Sequence, residues 1–490
     1  MAYPSLLYVT EQGSSAPMYP SLCEDLRLRA ALPCLCANPS LSGICSREDI
    51  LARQALFAQL DARTDLLTAL RNLSLQMDSM CRTDALFRNA KCDTERHVLF
   101  AAICRDLITW TRDAASIQAD GELFSRFRTF FEKQCASPKF AAMETELTAL
   151  EEQLYHNRCF TLKYADDAKD GRFVTVSLQT TETYISRLEA CARELGISIP
   201  EREVNHDPDP AILNALNSLA PDVCAALAAF YKNCKNLYIS SILEYADQLH
   251  FYLELYALKQ RIADAGIPLC YPRIADEHKI VLCDAYDISL LYRGVENIVP
   301  NDITLCGNEP FFFVTGANGG GKTTFLRTVG ISVLLFLLGS PVPCRSAEIA
   351  PLHGILTHFP TDERFEGDGR FADEEKRVED LLSRADGYML LLLNETFSTT
   401  TAEKAAQATA DLARRIAASG NFGLYVTHQH EMHDLGLPCL HAEVAPDEDN
   451  RRTFKIRPSS RSNQSFAQDI LKKYHLTKED LLMRFPKETV

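Results

Sequence analysis

The sequence predicts a multidomain protein in which a mainly α-helical region is followed by an α/β domain. From Ile50 to Leu70, and again further along, apolar residues recur at helical spacing. From about Ile280, apolar strand-like runs alternate with helical segments. A length of 490 residues suggests two to four domains at roughly 150 residues each. We therefore expect an irregular N-terminal segment (residues 1–45), a helical domain (46–275) and an α/β domain (276–490).

Local signals place the elements of the helical domain. Ser46 followed by Asp49 resembles a capping box at the start of the first long helix. Helical periodicity continues through Thr94–Gln118 and Met143–His156, and it returns after residue 182. Between these helices, residues 160–178 alternate like two strands around a polar link, which predicts a short β-hairpin.

A long segment from Asp222 to Ala265 contains neither glycine nor proline, and Pro221 precedes it. Proline is tolerated in the first turn of a helix. Two structures fit this pattern: two ordinary helices of a bundle, or one continuous helix on the order of 65 Å long that serves as a lever.

The α/β domain is predicted from its buried runs. Strands are expected at Phe311–Thr315, Tyr388–Leu393 and Leu424–Thr427, and helices after Lys322, at Arg377–Arg384 and at Thr401–Ala418.

The most informative motif follows the first of these strands. Residues 316–324 match the phosphate-loop pattern G-x-x-x-x-G-K-[ST], and an apolar helix follows. A glycine-rich turn with a coincidental lysine is the alternative. The motif predicts binding of ATP or GTP, with Lys322 on the β and γ phosphates and the Thr323 hydroxyl on Mg²⁺. The nucleotide-binding candidates are Gly316, Asn318, Gly319, Gly320, Gly321, Lys322, Thr323 and Thr324.

Two further strands end in polar residues. Asn394 stands where nucleotide hydrolases usually place a carboxylate near Mg²⁺, so it is a second metal candidate that lacks the charge. Glu395 is the candidate base for the attacking water, unless the pair only caps a buried strand. His428 follows the next strand and could sense the γ-phosphate; ordinary surface histidines, or a metal site with His430 and His433, are the alternatives.

Composition limits the function classes. A formal net charge of −15 argues against a broadly basic nucleic-acid-binding surface. One basic stretch, Arg451–Arg457, is either a local patch or a solvated strand edge. The chain starts without a basic and apolar leader, has no apolar run near the roughly 20 residues of a membrane span, and contains 17 cysteines. We expect a cytoplasmic, membrane-free protein with reduced thiols; a metal site among Cys23, Cys34, Cys36 and Cys45 is the less favoured alternative.

These motifs, in this order, resemble the ATPase domain of the MutS family. The resemblance runs through residues 298–303, 314–324, 339–344 and 347–349 and through Thr427-His428. It is weaker over residues 46–297, which are similar to the family's core and lever domains. The resemblance implies an ABC-type P-loop ATPase domain that uses ATP and Mg²⁺, with Ile298 against the adenine, a homodimer or heterodimer with composite ATP sites, and DNA held by the opposite domains.

Three departures from the family qualify these expectations. About 45 residues precede the helical region, too few for a mismatch-reading domain. Asn394 replaces the usual aspartate, and Gly369 stands near the position of the serine that reaches the partner's ATP. We therefore expect a slow ATPase that couples dimer closure to duplex or branched DNA without mismatch recognition. A nucleotide-gated scaffold with negligible hydrolysis and an ABC-type ATPase of a non-DNA machine remain the alternatives.

Overall fold

The computed structural model describes residues 3–9, 20–42, 45–156, 160–167, 171–178, 221–237, 240–359, 370–397, 402–427, 438–445 and 452–458. The chain forms two compact units: unit 1 comprises Met1–Leu6 and Arg63–Leu249, and unit 2 comprises Leu7–Ala62 and His250–Val490. This grouping differs from the predicted domains, because residues 7–62 and 250–275 belong to the same unit as the α/β part.

The described helices begin and end at defined residues. In chain order they are α1 (Pro20–Asp25), α2 (Pro33–Ala37), α3 (Arg47–Ala62), α4 (Thr64–Arg88), α5 (Asp93–Ser116), α6 (Glu122–Cys135), α7 (Pro138–His156), α8 (Pro221–Cys234), α9 (Tyr245–Asp264), α10 (Ile288–Leu291), α11 (Lys322–Leu337), α12 (Arg370–Ser383) and α13 (Ala402–Ala418). Short 3-10 turns lie at Pro39–Ser42 and Ser240–Glu244. Among the described residues, no helix is both long enough and apolar enough to cross a membrane.

The described strands form three sheets. They are β1 (Phe160–Asp167), β2 (Gly171–Leu178), β3 (Arg273–Ile274), β4 (Lys279–Ala285), β5 (Asn301–Cys306), β6 (Phe311–Gly316), β7 (Ser346–Ile349), β8 (Gly354–His358), β9 (Met389–Asn394), β10 (Phe422–Val426), β11 (Cys439–Val444) and β12 (Arg452–Pro458).

Most predicted elements are confirmed. The hairpin exists as the antiparallel pair β1–β2. The capping box exists too: the Ser46 hydroxyl accepts the Asp49 amide at 3.1 Å, and Asp49 Oδ2 accepts the Ser46 amide at 2.9 Å. The predicted strands and helices of the α/β part correspond to β6, β9, β10, α11, α12 and α13. The helix predicted after residue 182 lies outside the described residues.

One expectation is wrong, and one open choice between two alternatives is decided. The segment expected to be irregular contains two short helices among its described residues, α1 and α2, and α2 starts at Pro33, a residue suited to a first helical turn. The continuous lever helix is also absent. Helix α8 ends at Cys234, a turn follows through Leu237, and α9 begins at Tyr245. The two-helix alternative is the correct one, and the lever of on the order of 65 Å is not formed.

Unit 1 is organised around an aromatic core. The indole of Trp110 on α5 is fully buried, and its Nε1 donates to the Leu73 carbonyl of α4 at 3.0 Å. Its ring contacts Phe131 at 5.1 Å and Tyr245 at 5.5 Å between centroids. These contacts join helices α4, α5, α6 and α9 in one core.

Unit 2 contains the two larger sheets. The six-stranded sheet has the order β12-β11-β6-β10-β9-β8, and every neighbouring pair is parallel except β11–β12. Helices α12 and α13 pack on one apolar layer of this sheet, around Phe313, Leu391 and Tyr425. The four-stranded sheet has the order β3-β7-β4-β5. Because β6, β10 and β9 are parallel neighbours, the residues that follow them meet at one edge.

Candidate functional site

The glycine loop (Gly316–Thr324) connects the end of β6 to the start of α11. Three of its glycines have positive φ: +117° at Gly316, +70° at Gly319 and +92° at Gly321. Side chains disfavour this region of backbone space, whereas glycine enters it freely. The loop therefore turns sharply and presents the N-terminus of α11, whose free amides and dipole favour an anion.

Close packing is a second reason for glycine in this loop. A Cβ atom at Gly316 would lie 2.9 Å from the Cβ of Ala442 on β11. A Cβ atom at Gly320 would lie 2.9 Å from both the Ala317 carbonyl oxygen and the Ala442 Cβ. Strand β11 thus packs directly under the loop and fixes its shape.

Lys322, the first residue of α11, reaches back into the loop. Its side chain is 5% exposed, and its Nζ donates to the carbonyl of Gly316 at 2.8 Å and that of Ala317 at 3.1 Å. Burial lowers the pKa of Lys322, the nearby Glu395 carboxylate opposes that shift, and Arg452 adds to it. The ammonium group is thus held inside the loop, where a phosphate would compete with the carbonyl oxygens.

The loop also contacts the end of β9. The Thr323 hydroxyl donates to Asn394 Oδ1 at 3.1 Å, although the two residues are 71 positions apart. Asn394 is the last residue of β9 and is 7% exposed. Two uncharged oxygen donors at this spacing fit Mg²⁺, since neighbouring oxygen ligands of an octahedral ion are about 3 Å apart at Mg–O distances of about 2.1 Å. A charged ligand is missing from this pair.

Glu395 follows directly and has an unusual backbone. Its φ is +52°, and that of Phe397 is +65°. The Glu395 amide donates to the Val426 carbonyl at the end of β10 at 2.9 Å. The side chain is half-buried, and its charge acts on Lys322. Glu395 therefore lies near Lys322 of the glycine loop, and its role as the base for the attacking water stays a prediction.

A buried polar network lies behind Glu395. We call His358, Thr396, Thr409 and Tyr425 the Thr396 network. The Thr396 hydroxyl is hydrogen-bonded to His358 Nδ1 at 3.1 Å, and the Thr396 carbonyl accepts the Tyr425 hydroxyl. The Tyr425 hydroxyl lies 3.2 Å from the Thr409 hydroxyl. Sequence analysis missed this network, since it depends on β8, β9 and β10 being neighbours in that order.

A second missed residue is Phe454 on β12. Its ring is 47% exposed, its φ is +60°, and its Cδ1 would lie 3.5 Å from a Cβ atom at Gly321. Asn301 fixes this strand: its Nδ2 donates to the Phe454 carbonyl at 3.1 Å, and its Oδ1 accepts the Ile456 amide at 2.7 Å. The half-buried Ile298 lies three residues before Asn301. The only signal in the sequence was an aromatic residue within the basic stretch.

The described part of the basic stretch forms an edge strand. Strand β12 is the outermost strand of the six-stranded sheet and pairs with β11. This position agrees with the strand-edge alternative for residues 452–457, and the local basic patch stays a prediction.

Several candidates lie outside the described residues. These are His428, His430 and His433, together with Gly369. The neighbouring Thr427 is described and buried, and its amide donates to the Val314 carbonyl at 3.1 Å. The role assigned to His428 stays a prediction.

The N-terminal cysteines are divided between different partners. Cys23 and Cys36 form a side-chain hydrogen bond. Cys45 is buried against Arg53, whose Nη1 donates to its Sγ at 3.1 Å. The Cys45 thiol thus has Arg53 as its partner, and this arrangement does not fit a metal site shared by the four cysteines.

The α/β part of the chain matches a known protein family. A family model described as MutS domain V matches residues 312–466. This match covers β6, the glycine loop, β9, β10 and β12, so it contains the whole described site except Ile298 and Asn301.

Individual relatives agree with this match. The chain is similar to DNA mismatch repair protein MSH2 of Saccharomyces cerevisiae, at 31% identity over 189 residues, or 35% of this chain and 20% of the relative. MSH2 of Zea mays is 27% identical over 279 residues, 50% of this chain and 30% of the relative. DNA mismatch repair protein MutS of Natronomonas pharaonis is 33% identical over 147 residues, which are 29% of this chain and 17% of the relative. The matches thus span less than a third of these relatives.

Proposed function

We propose that this chain, which belongs to the MutS family, is an ABC-type P-loop ATPase that couples ATP-driven dimer closure to DNA binding. One observation carries the proposal: the contact between Thr323 in the glycine loop and Asn394 at the end of β9. It unites two segments that nucleotide hydrolases use for phosphate and for Mg²⁺, and Glu395 follows next in the chain.

The chain's residues divide the work of hydrolysis. Loop amides and the N-terminus of α11 bind the phosphates, and Lys322 gives up its carbonyl contacts to neutralise the β and γ phosphates. Bound Mg²⁺, held by Thr323 and Asn394, would supply further charge neutralisation. Glu395 orients the attacking water and accepts its proton.

Residues near the loop would complete the site. Ile298 would contact the adenine, as the resemblance to the family implies. The exposed face of Phe454, which lies next to Gly321 of the glycine loop, offers a second apolar contact. His428, which follows β10 in the sequence, would sense the γ-phosphate.

ATP binding would bring two copies of the α/β part together and alter the grip of the helical part on duplex or branched DNA. The relatives' names refer to DNA mismatch repair, which supports DNA as a partner. We do not assign mismatch recognition, because the matches cover less than a third of each relative.

A nucleotide-gated scaffold is the second candidate. Asn394 favours it, since an uncharged ligand holds Mg²⁺ less tightly and leaves more charge on the transferred phosphate uncompensated. An ABC-type ATPase of a non-DNA machine is a weaker candidate, because the only Leu-Ser-Gly sequence, Leu41–Gly43, lies far upstream of the glycine loop.

The test is ATP turnover by purified protein without DNA, with duplex and with branched DNA, each at low and at higher salt. Stimulation by one DNA form that weakens as salt rises is the expected result, since phosphate contacts release counterions. ATP binding without turnover supports the scaffold. Turnover that no DNA form changes contradicts the coupling to DNA and favours a non-DNA machine.

A further inference from the structure

The backbone around Glu395 is held in a conformation that its sequence does not favour. Glu395 and Phe397 both have positive φ, at +52° and +65°, and neither is glycine. Residues with side chains keep such a conformation when surrounding contacts over-determine it. The residue between them, Thr396, is 4% exposed and therefore has its surroundings fixed by packing.

Two flanking strands supply those contacts. His358, at the end of β8, holds the Thr396 hydroxyl at 3.1 Å, and Tyr425 on β10 donates to the Thr396 carbonyl. The Tyr425 side chain is fully buried, and Thr409 on α13 holds its hydroxyl at 3.2 Å. The Glu395 amide is bound separately by Val426 at 2.9 Å. The peptide before Glu395 is thus tied to β10, and Thr396, the residue after it, is tied to β8 through its hydroxyl and to β10 through its carbonyl.

We infer that His358 and Tyr425 act through Thr396 as positioning residues that hold the Glu395 carboxylate toward the water it activates. The inference rests on the proposed ATPase function and deepens it. His358, Thr396 and Tyr425 all lie outside the glycine loop. The network therefore positions Glu395 without contacting Lys322, whose ammonium group is bound by the loop carbonyls.

This arrangement predicts a separation of turnover from binding. A shift of about 1 Å in a catalytic group can cost on the order of 100-fold in rate. Nucleotide affinity depends on the loop amides, Lys322 and Thr323, which keep their contacts when Thr396 changes. A merely structural role would instead lower stability and affinity together.

The experiment replaces Thr396 by valine, which keeps the β-branched shape and removes the hydroxyl. For Thr396→Val we expect kcat to fall by about 10- to 100-fold while the Kd for Mg-ATP changes by less than about twofold. Thr396→Ser restores the hydroxyl and should recover most of the rate. Thr111→Val, a buried threonine of α5 in unit 1, is the matched control for loss of a buried hydroxyl.

His358 gives an independent arm. His358→Leu should lower kcat to a similar degree, and His358→Asn, which places a polar atom near the position of Nδ1, should recover part of it. The double variant Thr396→Val, His358→Leu should be no slower than the slower single variant, because both remove the same hydrogen bond. If Thr396→Val does not fold, Tyr425→Phe removes the other contact to Thr396 and should show the same split between kcat and Kd.

The outcomes separate this inference from the proposed function. A wild-type protein that hydrolyses no ATP overturns both. A wild-type protein that hydrolyses ATP, with Thr396→Val and His358→Leu at wild-type kcat, overturns the positioning role alone. A parallel loss of kcat and affinity that serine does not restore also overturns it.

Discussion

The Thr323 hydroxyl lies 3.1 Å from Asn394 Oδ1, which joins the first turn of α11 to the end of β9. Both oxygens are uncharged, whereas Mg²⁺ in nucleotide sites is usually held by at least one carboxylate. The local charge therefore comes from Glu395 and from the nucleotide itself. This relationship makes Mg²⁺ affinity the property most sensitive to residue 394.

Asn394→Asp should tighten Mg²⁺ binding in the presence of ATP by about tenfold, since it adds a full negative charge beside the ion. The measurement is a Mg²⁺ titration of ATP-dependent fluorescence or turnover. Asn394→Ala, which removes the oxygen, should shift the midpoint in the opposite direction. An unchanged midpoint in both variants would remove residue 394 from the metal site.

Glu395→Gln should keep ATP binding and reduce turnover by at least about 100-fold, because the amide cannot accept the proton of the attacking water. Filter binding and phosphate release measure the two properties. The substitution also keeps the hydrogen bond from the backbone N–H of residue 395 to the Val426 carbonyl at 2.9 Å, so the turn after β9 should stay folded. Hydrolysis at the wild-type rate would exclude Glu395 from the mechanism.

Gly339→Ala should destabilise unit 2 far more than Gly294→Ala. Both glycines have positive φ, +72° and +75°, so each variant costs about 1 kcal/mol of backbone strain. At Gly339 the new Cβ would also lie 2.4 Å from the Arg53 Cβ, and at Gly294 nothing lies within 4 Å. Overpacking adds about 1–3 kcal/mol. Urea unfolding followed by circular dichroism measures the difference; equal losses would show that Arg53 moves aside freely.

Arg53 explains why that site cannot relax easily. Its guanidinium is fully buried; its Nε and Nη2 donate to the Leu7 carbonyl at 3.0 Å and 2.7 Å, and it stacks on Tyr8 and Phe251 at 5.2 Å. A buried cation held by directional bonds cannot shift without losing them. The N-terminal residues of unit 2 are attached through this side chain.

The strands and helices of the α/β part were predictable because their signals are local. The run Phe311–Val314 is buried throughout, and the glycine loop has fixed spacing. The same local signals left the segment Asp222–Ala265 open between one helix and two: absence of glycine and proline permits a continuous helix and does not require one, and the chain turns at Lys235–Leu237. Helix propensity is a weak guide to such a break, because tertiary context routinely overrides it.

The site was predictable only in part. Lys322, Thr323, Asn394 and Glu395 follow strands that the sequence revealed, so their meeting at one edge could be expected. The Thr396 network and Phe454 depend on strand order and on left-handed backbone at residues with side chains. Neither property is encoded in a short window, because both arise from contacts between distant segments.

The opposite end of the sheet contains an aromatic cluster with a titratable member. The imidazole of His278 contacts the tilted rings of Phe422 and Tyr388, at 4.1 Å and 5.1 Å between centroids. Its Nε2 is buried without a hydrogen-bond partner among the described residues. Burial lowers the pKa of His278 below its usual value of about 6.5.

The free energy of unfolding should therefore depend on pH through His278. As pH falls below about 6.5, the unfolded chain takes up a proton at this residue while the folded chain resists it, so stability decreases toward pH 5. His278→Phe keeps an aromatic ring against Phe422 and Tyr388 and removes the titration, so it should flatten this decrease. The His353–Asp386 pair, 2.5 Å apart beside Tyr388, is common to both proteins and cancels in the comparison. Urea unfolding at pH 5.0, 6.0 and 7.5 measures the free energy of unfolding of the wild-type protein and of His278→Phe. Parallel pH profiles for the two proteins would show that His278 is not the source of the decrease.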